Sequence, residues 1–256
     1  MNNYKDLFSL EGKTAVITGG AGLLGREMAK GLCNHGATAI IAELSPDEAQ
    51  KVVDSIGKAA VAEFLDITDP ESIAQLINKY DKIDIWVNNA YPRTSDWGKK
   101  FEDIPPDSWK KNVDMHLNGY FMCCQKIAAK MVRQSRGNII NMASIYGLVA
   151  PNFSVYNGTE MTMPAAYAAI KGGIINFTRY MATYLAPYKI RVNCISPGGI
   201  FDRQPASFVG AYSGLTPMGR MAEPKDIVGP LIFLASEASA YVTGQNLVVD
   251  GGWTAW

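Results

Sequence analysis

A tyrosine and a lysine lie four positions apart at Tyr167 and Lys171. On a helix this spacing places both side chains on the same face, one turn from each other. An ammonium close to a phenol favours the phenolate, so the spacing predicts a pKa of Tyr167 below the usual value of about 10. A tyrosine with such a pKa can exchange a proton with a substrate oxygen. The pair is therefore a candidate acid–base site, although on a surface helix the same pattern is often without function.

The composition indicates a globular protein and gives no global reason to expect a nucleic-acid partner. Hydrophobic residues make up 48% of the 256 residues, enough for a sizeable core. The 24 basic and 24 acidic residues balance, so no global charge favours a nucleic acid. The cysteines, Cys33, Cys123, Cys124 and Cys194, form no Cys-x-x-Cys pair, which predicts reduced thiols and no metal site. Neither a signal peptide nor a long apolar stretch is apparent, so we expect a cytoplasmic protein without a transmembrane helix.

A glycine-rich turn lies between two short apolar runs near the start of the chain. Residues 13–18 predict a strand, residues 19–22 a turn, residues 23–35 a helix and residues 37–42 a second strand. This order forms a βαβ unit. Its glycines allow backbone N–H groups to approach a pyrophosphate at the helix N-terminus, so we predict a dinucleotide site there.

Glu43 ends the second predicted strand. An acid at this position can accept hydrogen bonds from the ribose hydroxyls of an adenosine, and it repels a 2′-phosphate. The residue therefore favours NAD over NADP. The alternative is a solvated acid at a strand end.

Apolar strands and helical patterns alternate through the rest of the chain. Further strands are predicted at residues 59–65, 83–87, 138–142, 189–195 and 245–249. Helices are predicted at residues 45–56, 69–80, 107–134, 164–185 and 224–236, and loops at 91–106, 145–164 and from 196 to 222. This alternation predicts a single α/β domain over residues 1–256, with a doubly wound parallel sheet of about seven strands flanked by helices. Ligands of such sheets bind at the carboxyl ends of the strands.

Motifs at these strand ends carry a resemblance that extends from about Leu10 to Trp253. In chain order they are Thr18-Gly-Gly-Ala-Gly-Leu-Leu-Gly25, Asp66, Asn88-Asn-Ala90, Ser144, Tyr167-x-x-x-Lys171 and Ser196-Pro-Gly198. With this set, the chain resembles the short-chain dehydrogenase/reductase family. The resemblance implies a Rossmann-type sheet, a nicotinamide cofactor and hydride transfer between a carbinol and a carbonyl.

The resemblance also implies roles for individual residues. Tyr167 would be the acid/base, Ser144 would bind the reacting oxygen, and Lys171 would lower the pKa of Tyr167 and hold the nicotinamide ribose. The cofactor-binding residues implied, together with Glu43, Tyr167 and Lys171, are Gly19, Ala21, Gly22, Leu23, Leu24, Gly25, Asp66, Ile67, Asn88, Asn89, Ala90, Pro197, Gly198, Gly199 and Ile200. No metal site is implied.

The chain departs from the family pattern at five places, one of which is the absence of the usual threonine after the Pro-Gly turn, within residues 199–202. Leu23 and Tyr91 stand where the family usually has glycine, and His116 stands where a helix asparagine is usual. The interval between Ser144 and Tyr167 is also longer than usual, which implies an insertion within residues 150–164.

His116 is predicted to replace the family's asparagine, which holds a water that links the lysine to solvent. A neutral imidazole has one donor and one acceptor nitrogen and could hold the same water. Because Lys171 carries a positive charge nearby, we expect a lowered pKa and a neutral His116 at pH 7. The alternative is a histidine that only packs, with Asn112 or Asn118 serving the relay.

The insertion bears on the substrate. Its amides, hydroxyls and aromatic rings suit a polyhydroxylated small molecule such as a sugar, although a packed loop at an oligomer interface fits equally well. The insertion and the C-terminal segment 250–253 are also similar to oxidoreductases of bacterial surface-glycan and flagellin-modification pathways. We therefore predict an NAD-dependent oxidoreductase that interconverts a secondary alcohol and a ketone.

Two other functions fit the same motifs. One is a 3-oxoacyl thioester reductase, against which Glu43 and the absence of a basic cluster count. The other is a cofactor-binding scaffold without turnover. In each case the apolar helices at residues 107–134 and 164–185 predict a homodimer or homotetramer, with neither a nucleic-acid nor a membrane partner.

Overall fold

Seven parallel strands form one sheet in a computed structural model that describes residues 4–256. The strands are β1 (Thr14–Thr18), β2 (Thr38–Glu43), β3 (Ala60–Phe64), β4 (Ile85–Asn88), β5 (Gly137–Met142), β6 (Ile190–Pro197) and β7 (Asn246–Val249). Their order is β3-β2-β1-β4-β5-β6-β7, so the chain reverses direction across the sheet between β3 and β4. The predicted fold, a doubly wound sheet of seven strands, is confirmed.

Eight α-helices connect these strands within residues 4–256. They are α1 (Leu23–Asn34), α2 (Pro46–Ile56), α3 (Pro70–Lys79), α4 (Pro106–Val113), α5 (Gly119–Gln134), α6 (Ala165–Leu185), α7 (Ala206–Leu215) and α8 (Val228–Ala235). Short 3₁₀ turns span Tyr4–Phe8, Phe101–Asp103, Ile145–Gly147, Phe153–Tyr156, Ala186–Tyr188, Pro224–Ile227 and Glu237–Ser239. Ser45 and Asp69 cap α2 and α3 through their side chains, and a proline follows each cap.

The sheet separates two apolar cores because successive side chains of a strand point to opposite faces. Val16 and Trp86 belong to the core that packs against α3, α5 and α6. Ile17 and Val87 belong to the core that packs against α1, α2 and α8. With both faces covered, the ligand-accessible part of the sheet is the edge at which the strands end.

The helix predicted at residues 107–134 is interrupted. After α4, a π-helical turn spans Asp114–Asn118, and only then does α5 begin at Gly119. A π turn adds one residue to the helical turn and so changes which side chain faces inward. A Cβ on Gly119 would lie 3.0 Å from the Ile67 side chain, so the helix passes close to the loop after β3 at this point.

The loop predicted after β6 contains a helix, α7, which the sequence did not indicate. Its segment has two glycines and no charged residue, so it lacks the usual helix signals. The helix is held instead by aromatic packing. Tyr156 of the insertion lies 5.2 Å from Phe208, Phe208 lies 5.8 Å from Tyr212, and Tyr212 stacks on Trp253 at 4.1 Å between ring centroids. We call these four residues the aromatic cluster.

Candidate active site

A cleft of about 920 Å³ runs along the carboxyl ends of the strands. The predicted site residues that line it are Gly19, Gly22, Leu23, Leu24, Glu43, Asp66, Ile67, Asn89, Ala90, Ser144, Tyr167, Lys171, Pro197, Gly198, Gly199 and Ile200. Four predicted residues, Ala21, Gly25, Asn88 and His116, do not line the cleft. The structure therefore brings most of the separate motifs to one surface.

The turn after β1 leaves room for a phosphate because its glycines carry no side chain. Gly19 has a φ of +63°, and a Cβ there would lie 2.8 Å from the Cα of Ala90. A Cβ on Gly25 would lie 2.8 Å from the Cα of Gly20. Gly22 is the N-cap residue of α1 and has no side chain that could bond the first N–H groups of the helix. These N–H groups are therefore available to a ligand in the cleft. This cradle fits a dinucleotide pyrophosphate, with the partly exposed Leu23 at its rim.

Glu43 lies beside this turn at the end of β2. One carboxylate oxygen accepts a hydrogen bond from the Ala21 N–H at 3.2 Å, and the other accepts one from the Leu44 N–H at 2.9 Å. The two bonds hold the carboxylate in place at the lip of the cleft. Ala21, which was predicted to contact cofactor, is thus a buried support for Glu43.

Asn88 corrects the sequence prediction, which placed it along the dinucleotide path. Its side chain is fully buried, donates to Asn141 at 2.8 Å and to the Cys124 thiol at 3.1 Å, and accepts from Trp86 at 2.7 Å. Successive side chains of a strand point to opposite sides, so Asn88 and Asn89 face different ways. Asn88 therefore joins β4 to β5 beneath the cleft.

Asn89 and Thr18 fix the relation between the glycine turn and β4. The Asn89 amide donates to the carbonyl oxygens of Thr18 and Gly19 at 3.1 and 2.9 Å. The Thr18 hydroxyl accepts the N–H groups of both Asn89 and Ala90 at 3.0 Å. Thr18 was identified in the sequence only as part of a motif, because its contacts with Asn89 and Ala90 join segments that are distant in the chain.

Ser144 and Tyr167 meet at the other end of the cleft. Ser144 follows β5, is 5% exposed, and its hydroxyl oxygen accepts the Tyr146 N–H at 3.2 Å. Tyr167 projects from the first turn of α6. Burial raises the pKa of Tyr167, and a hydrogen bond with Ser144 opposes that rise.

Lys171 does not lower the pKa of Tyr167 in the way the spacing predicted. Its ammonium lies 5.5 Å from the centroid of the Tyr167 ring and donates to the Met142 carbonyl oxygen at 2.6 Å. The charge thus faces the ring and a backbone carbonyl, and burial dominates the pKa of Tyr167. Burial also lowers the pKa of Lys171 to about 7.

His116 lies behind Lys171 on the π turn and is fully buried. Its Nε2 is 3.5 Å from the Lys171 ammonium, and its ring packs edge-on against Tyr91 and Tyr120 at 5.3 and 5.1 Å. Burial, and then the charge of Lys171, hold the pKa of His116 well below its usual value. The downward shift agrees with the expectation, and the role of His116 in a water relay stays a prediction.

The two asparagines considered as alternatives make other contacts. Asn112 donates to Thr94 and to the Ser108 carbonyl oxygen, both at 2.8 Å. Asn118 donates to Asp114 at 2.7 Å. Of these three residues, it is therefore His116 whose side chain approaches Lys171.

Several residues without a predicted role line the substrate side of the cleft. Tyr91 packs edge-on against Tyr167 at 5.7 Å and against Trp97 at 5.7 Å. Arg93 and Gln204 line the same cleft. Of the insertion, only Met163 and Pro164 reach the lining, and Tyr156 packs against Phe208 of α7. A sequence signal existed for Tyr91, which replaces a glycine, but none distinguished Arg93.

The comparisons with known proteins agree with this geometry. A family profile described as enoyl-(acyl carrier protein) reductase matches residues 20–254. The chain is 35% identical over 253 residues to the post-translational flagellin modification protein A of Campylobacter coli, covering 95% of this chain and 99% of that one.

The chain belongs to the short-chain dehydrogenase/reductase family.

Two solved members of the family share the fold over nearly the whole chain. A short-chain dehydrogenase from Leptospira borgpetersenii with bound NAD⁺ is 37% identical, with a TM-score of 0.88 and coverage of 99% of this chain and 96% of that one. A gluconate 5-dehydrogenase from Burkholderia cenocepacia, in complex with NADP and tartrate, is 30% identical, with a TM-score of 0.88 and coverage of 99% and 100%. A short-chain dehydrogenase/reductase binds a nicotinamide cofactor, and the glycine cradle and cleft described above fit one.

Two kinds of feature do not occur in the part of the chain that the structure describes. No helix within residues 4–256 is long and apolar enough to span a membrane. Over the same residues, no group of three His, Cys, Asp or Glu side chains is arranged to hold a metal ion. The cysteines of this short-chain dehydrogenase/reductase are free thiols, and three of the four are buried.

Proposed function

We propose that the protein is an NAD-dependent dehydrogenase that interconverts a secondary alcohol and a ketone in the cytoplasm. One observation carries the proposal. Ser144, Tyr167 and Lys171 converge at one end of a cleft whose other end carries the fixed carboxylate of Glu43. Such a cleft can hold an extended dinucleotide between an acid–base group and an adenosine-binding acid.

The residues divide by the part of the cofactor they would hold. Glu43 would accept hydrogen bonds from the adenosine ribose, and the turn at Gly19 would hold the pyrophosphate. Lys171 would bind the nicotinamide ribose, and Pro197 and Gly198 would face the nicotinamide ring. Asp66 and Ile67 at the end of β3 would flank the adenine. When bound, the cofactor supplies the hydride acceptor for oxidation and the hydride donor for reduction.

Tyr167 and Ser144 would handle the proton and the oxygen of the substrate. In oxidation Tyr167 accepts the hydroxyl proton of the alcohol after its own phenolic proton has passed to the neutral amine of Lys171, and in reduction the phenol gives its proton to the new alkoxide. The Ser144 oxygen already accepts the Tyr146 N–H, so its own O–H is available to donate to the reacting oxygen. Both groups therefore act on one substrate oxygen.

Lys171 would exchange protons with Tyr167 in either direction, and His116 would hold Lys171 in place. With a pKa of about 7, Lys171 can gain and lose a proton near neutral pH. The neutral His116 faces it with Nε2, which can accept a hydrogen bond from the ammonium. His116 is proposed as a positioning residue that keeps the ammonium between Met142 and Tyr167.

The substrate is proposed to be polyhydroxylated, such as a sugar. The relatives support this, since a gluconate 5-dehydrogenase shares 30% identity and the fold. Reduction of a 3-oxoacyl thioester remains a second candidate because the chain is 30% identical over 254 residues to a 3-oxoacyl-[acyl-carrier-protein] reductase of Thermotoga maritima. Glu43 counts against it, since such reductases normally use NADPH.

The test is turnover with a panel of sugars, secondary alcohols and a 3-oxoacyl thioester, followed by the absorbance of the reduced cofactor. We expect activity with NAD and a polyol. Tyr167→Phe should lower kcat by ~10²–10⁴-fold and leave NADH binding unchanged, while the exposed Tyr241→Phe serves as the matched control. Faster turnover of the thioester with NADPH would contradict the proposal, and no turnover of any substrate would indicate a scaffold.

A homodimer or homotetramer is part of the proposal. Aromatic side chains form a continuous row on α5 and α6, in which Phe121 lies 6.0 Å from the partly buried Phe177, Phe177 6.4 Å from Tyr180, and Tyr180 6.1 Å from Tyr184. Tyr180 and Tyr184 are each 63% exposed. A second copy of this surface would remove the rings from water.

A further inference from the structure

Arg93 is a positive charge on the substrate side of the cleft. Its exposed side chain lines the same cleft as Ser144 and Tyr167. It forms no ion pair with any carboxylate of residues 4–256. A guanidinium presents a fork of N–H donors that matches the oxygens of a carboxylate or a phosphate.

The guanidinium is held close to the catalytic tyrosine by an aromatic ring. Its central carbon lies 5.1 Å from the centroid of Tyr91, and Tyr91 lies 5.7 Å from Tyr167. These two distances limit the separation between the Arg93 carbon and the Tyr167 ring centre to at most about 11 Å. One small molecule can therefore reach both groups.

The backbone on both sides of Arg93 is fixed. Pro92 restricts the preceding residue, and the Thr94 N–H donates to Asn112 at 3.0 Å. The Asn112 amide returns a hydrogen bond to the Thr94 hydroxyl at 2.8 Å. Because Asn112 is buried in α4, the segment that carries Arg93 is tied to a helix rather than free in solvent.

We propose that Arg93 binds an anionic group of the substrate, a carboxylate or a phosphate, while the carbinol of the same molecule lies between Ser144 and Tyr167. This inference rests on the proposed function and narrows its substrate to an acidic or phosphorylated polyol. The rings of Tyr91 and Trp97 would cover an apolar face of the molecule between these two ends.

Two other anions could pair with Arg93 in this cleft, and experiment distinguishes them from a substrate. Asp202 lines the substrate side, and an ion pair between the two residues would close the cleft on any substrate. The pyrophosphate of the cofactor is the other anion. Arg93 contacts Tyr91 rather than the turn at Gly19, so the geometry favours the substrate over the cofactor.

The test compares ribitol, ribonate and ribitol 5-phosphate as substrates, which share a polyol chain and differ in the terminal anion. A hydrogen-bonded charge pair of this kind is typically worth ~1.5–3 kcal/mol, or roughly 10–100-fold. We expect the wild type to favour one or both anions over ribitol by this factor in kcat/KM. The preferred anion identifies carboxylate or phosphate as the ligand.

Arg93→Gln should raise the KM for the preferred anion by roughly 10–100-fold, leave kcat within about threefold, and leave ribitol unchanged. Arg93→Lys should recover part of the loss, since it keeps the charge without the fork. Lys100→Gln, an equal charge change on an exposed residue of the same segment outside the cleft lining, is the matched control.

Three results would overturn the inference. The first is a preference of the wild type for ribitol. The second is an equal rise in KM for all three substrates in Arg93→Gln, as a closing ion pair with Asp202 would require. The third is a loss of NADH affinity in Arg93→Gln by the same factor. Failure of the wild type to oxidise any alcohol would refute the proposed function, whereas oxidation of ribitol without a preference for anions would refute only the role of Arg93.

Discussion

Replacing Glu43 with glutamine should change the cofactor preference. The carboxylate accepts the N–H groups of Ala21 and Leu44, so it cannot rotate away from an added 2′-phosphate without breaking both bonds. Glu43→Gln keeps the length of the side chain and one acceptor oxygen but removes the charge. The change therefore tests the charge of this residue more than its shape.

The expected magnitude follows from the position of Glu43 at the lip of the cleft, where water screens its charge. At a separation of about 5 Å and an effective dielectric constant of about 60, each pair of unit charges costs about 1 kcal/mol, so a dianionic 2′-phosphate is disfavoured by about 2 kcal/mol. This corresponds to roughly 30-fold in affinity. Loss of one ribose hydrogen bond should weaken NADH binding by about 1 kcal/mol, or roughly fivefold.

Fluorescence titration of NADH and NADPH measures both effects. We expect the wild type to favour NADH, and Glu43→Gln to bind NADPH roughly 30-fold more tightly and NADH roughly fivefold more weakly. Glu48→Gln, in the exposed first turn of α2, removes the same charge and should change neither constant. Equal affinities in the wild type, or an unchanged NADPH constant in Glu43→Gln, would refute the reasoning.

Two further predictions concern His116 and the subunit surface. Because burial and Lys171 hold the pKa of His116 below 6.5, the unfolded chain binds a proton that the folded chain does not, and the wild type should lose stability as pH falls below 6.5. His116→Asn should show a smaller fall in Tm over that range and keep kcat within about threefold, whereas His116→Ala should lower kcat by up to roughly 10²-fold because Lys171 can then shift. Full activity of His116→Ala with an unchanged pH profile would exclude the positioning role. The double change Tyr180→Asp and Tyr184→Asp should reduce the mass measured by light scattering, with Tyr241→Asp as the exposed control, and a monomeric wild type would contradict the proposed oligomer.

The sheet and the place of the site could be predicted because both depend on local sequence. Apolar runs that end in Thr18, Glu43 and Asn88 mark the strands, and parallel strands bring their ends to one edge. The motif alone could not tell Asn88 from Asn89, since the two neighbours point to opposite sides of the chain as β4 ends. Only the three-dimensional contacts separate the buried brace from the residue at the cleft.

Other features escaped prediction because distant contacts decide them. The spacing of Tyr167 and Lys171 correctly predicted that both side chains lie on the same face of a helix. The position of the Lys171 ammonium, however, depends on Met142 and His116, which belong to other elements. The π turn leaves no signature in the hydrophobic pattern of the helix. The helix α7 is stabilised by aromatic packing across the insertion rather than by its own propensity.

The aromatic cluster has a consequence for exchanging parts between relatives. Tyr156 lies in the insertion, while Phe208 and Tyr212 lie on a helix about fifty residues later, yet their rings form one packed unit that ends on Trp253. Grafting the insertion alone into another scaffold would leave Tyr156 without its counterpart, and grafting α7 alone would do the same to Phe208. We therefore expect the two segments and the C-terminal tryptophan to need transplanting together, although the chain separates them.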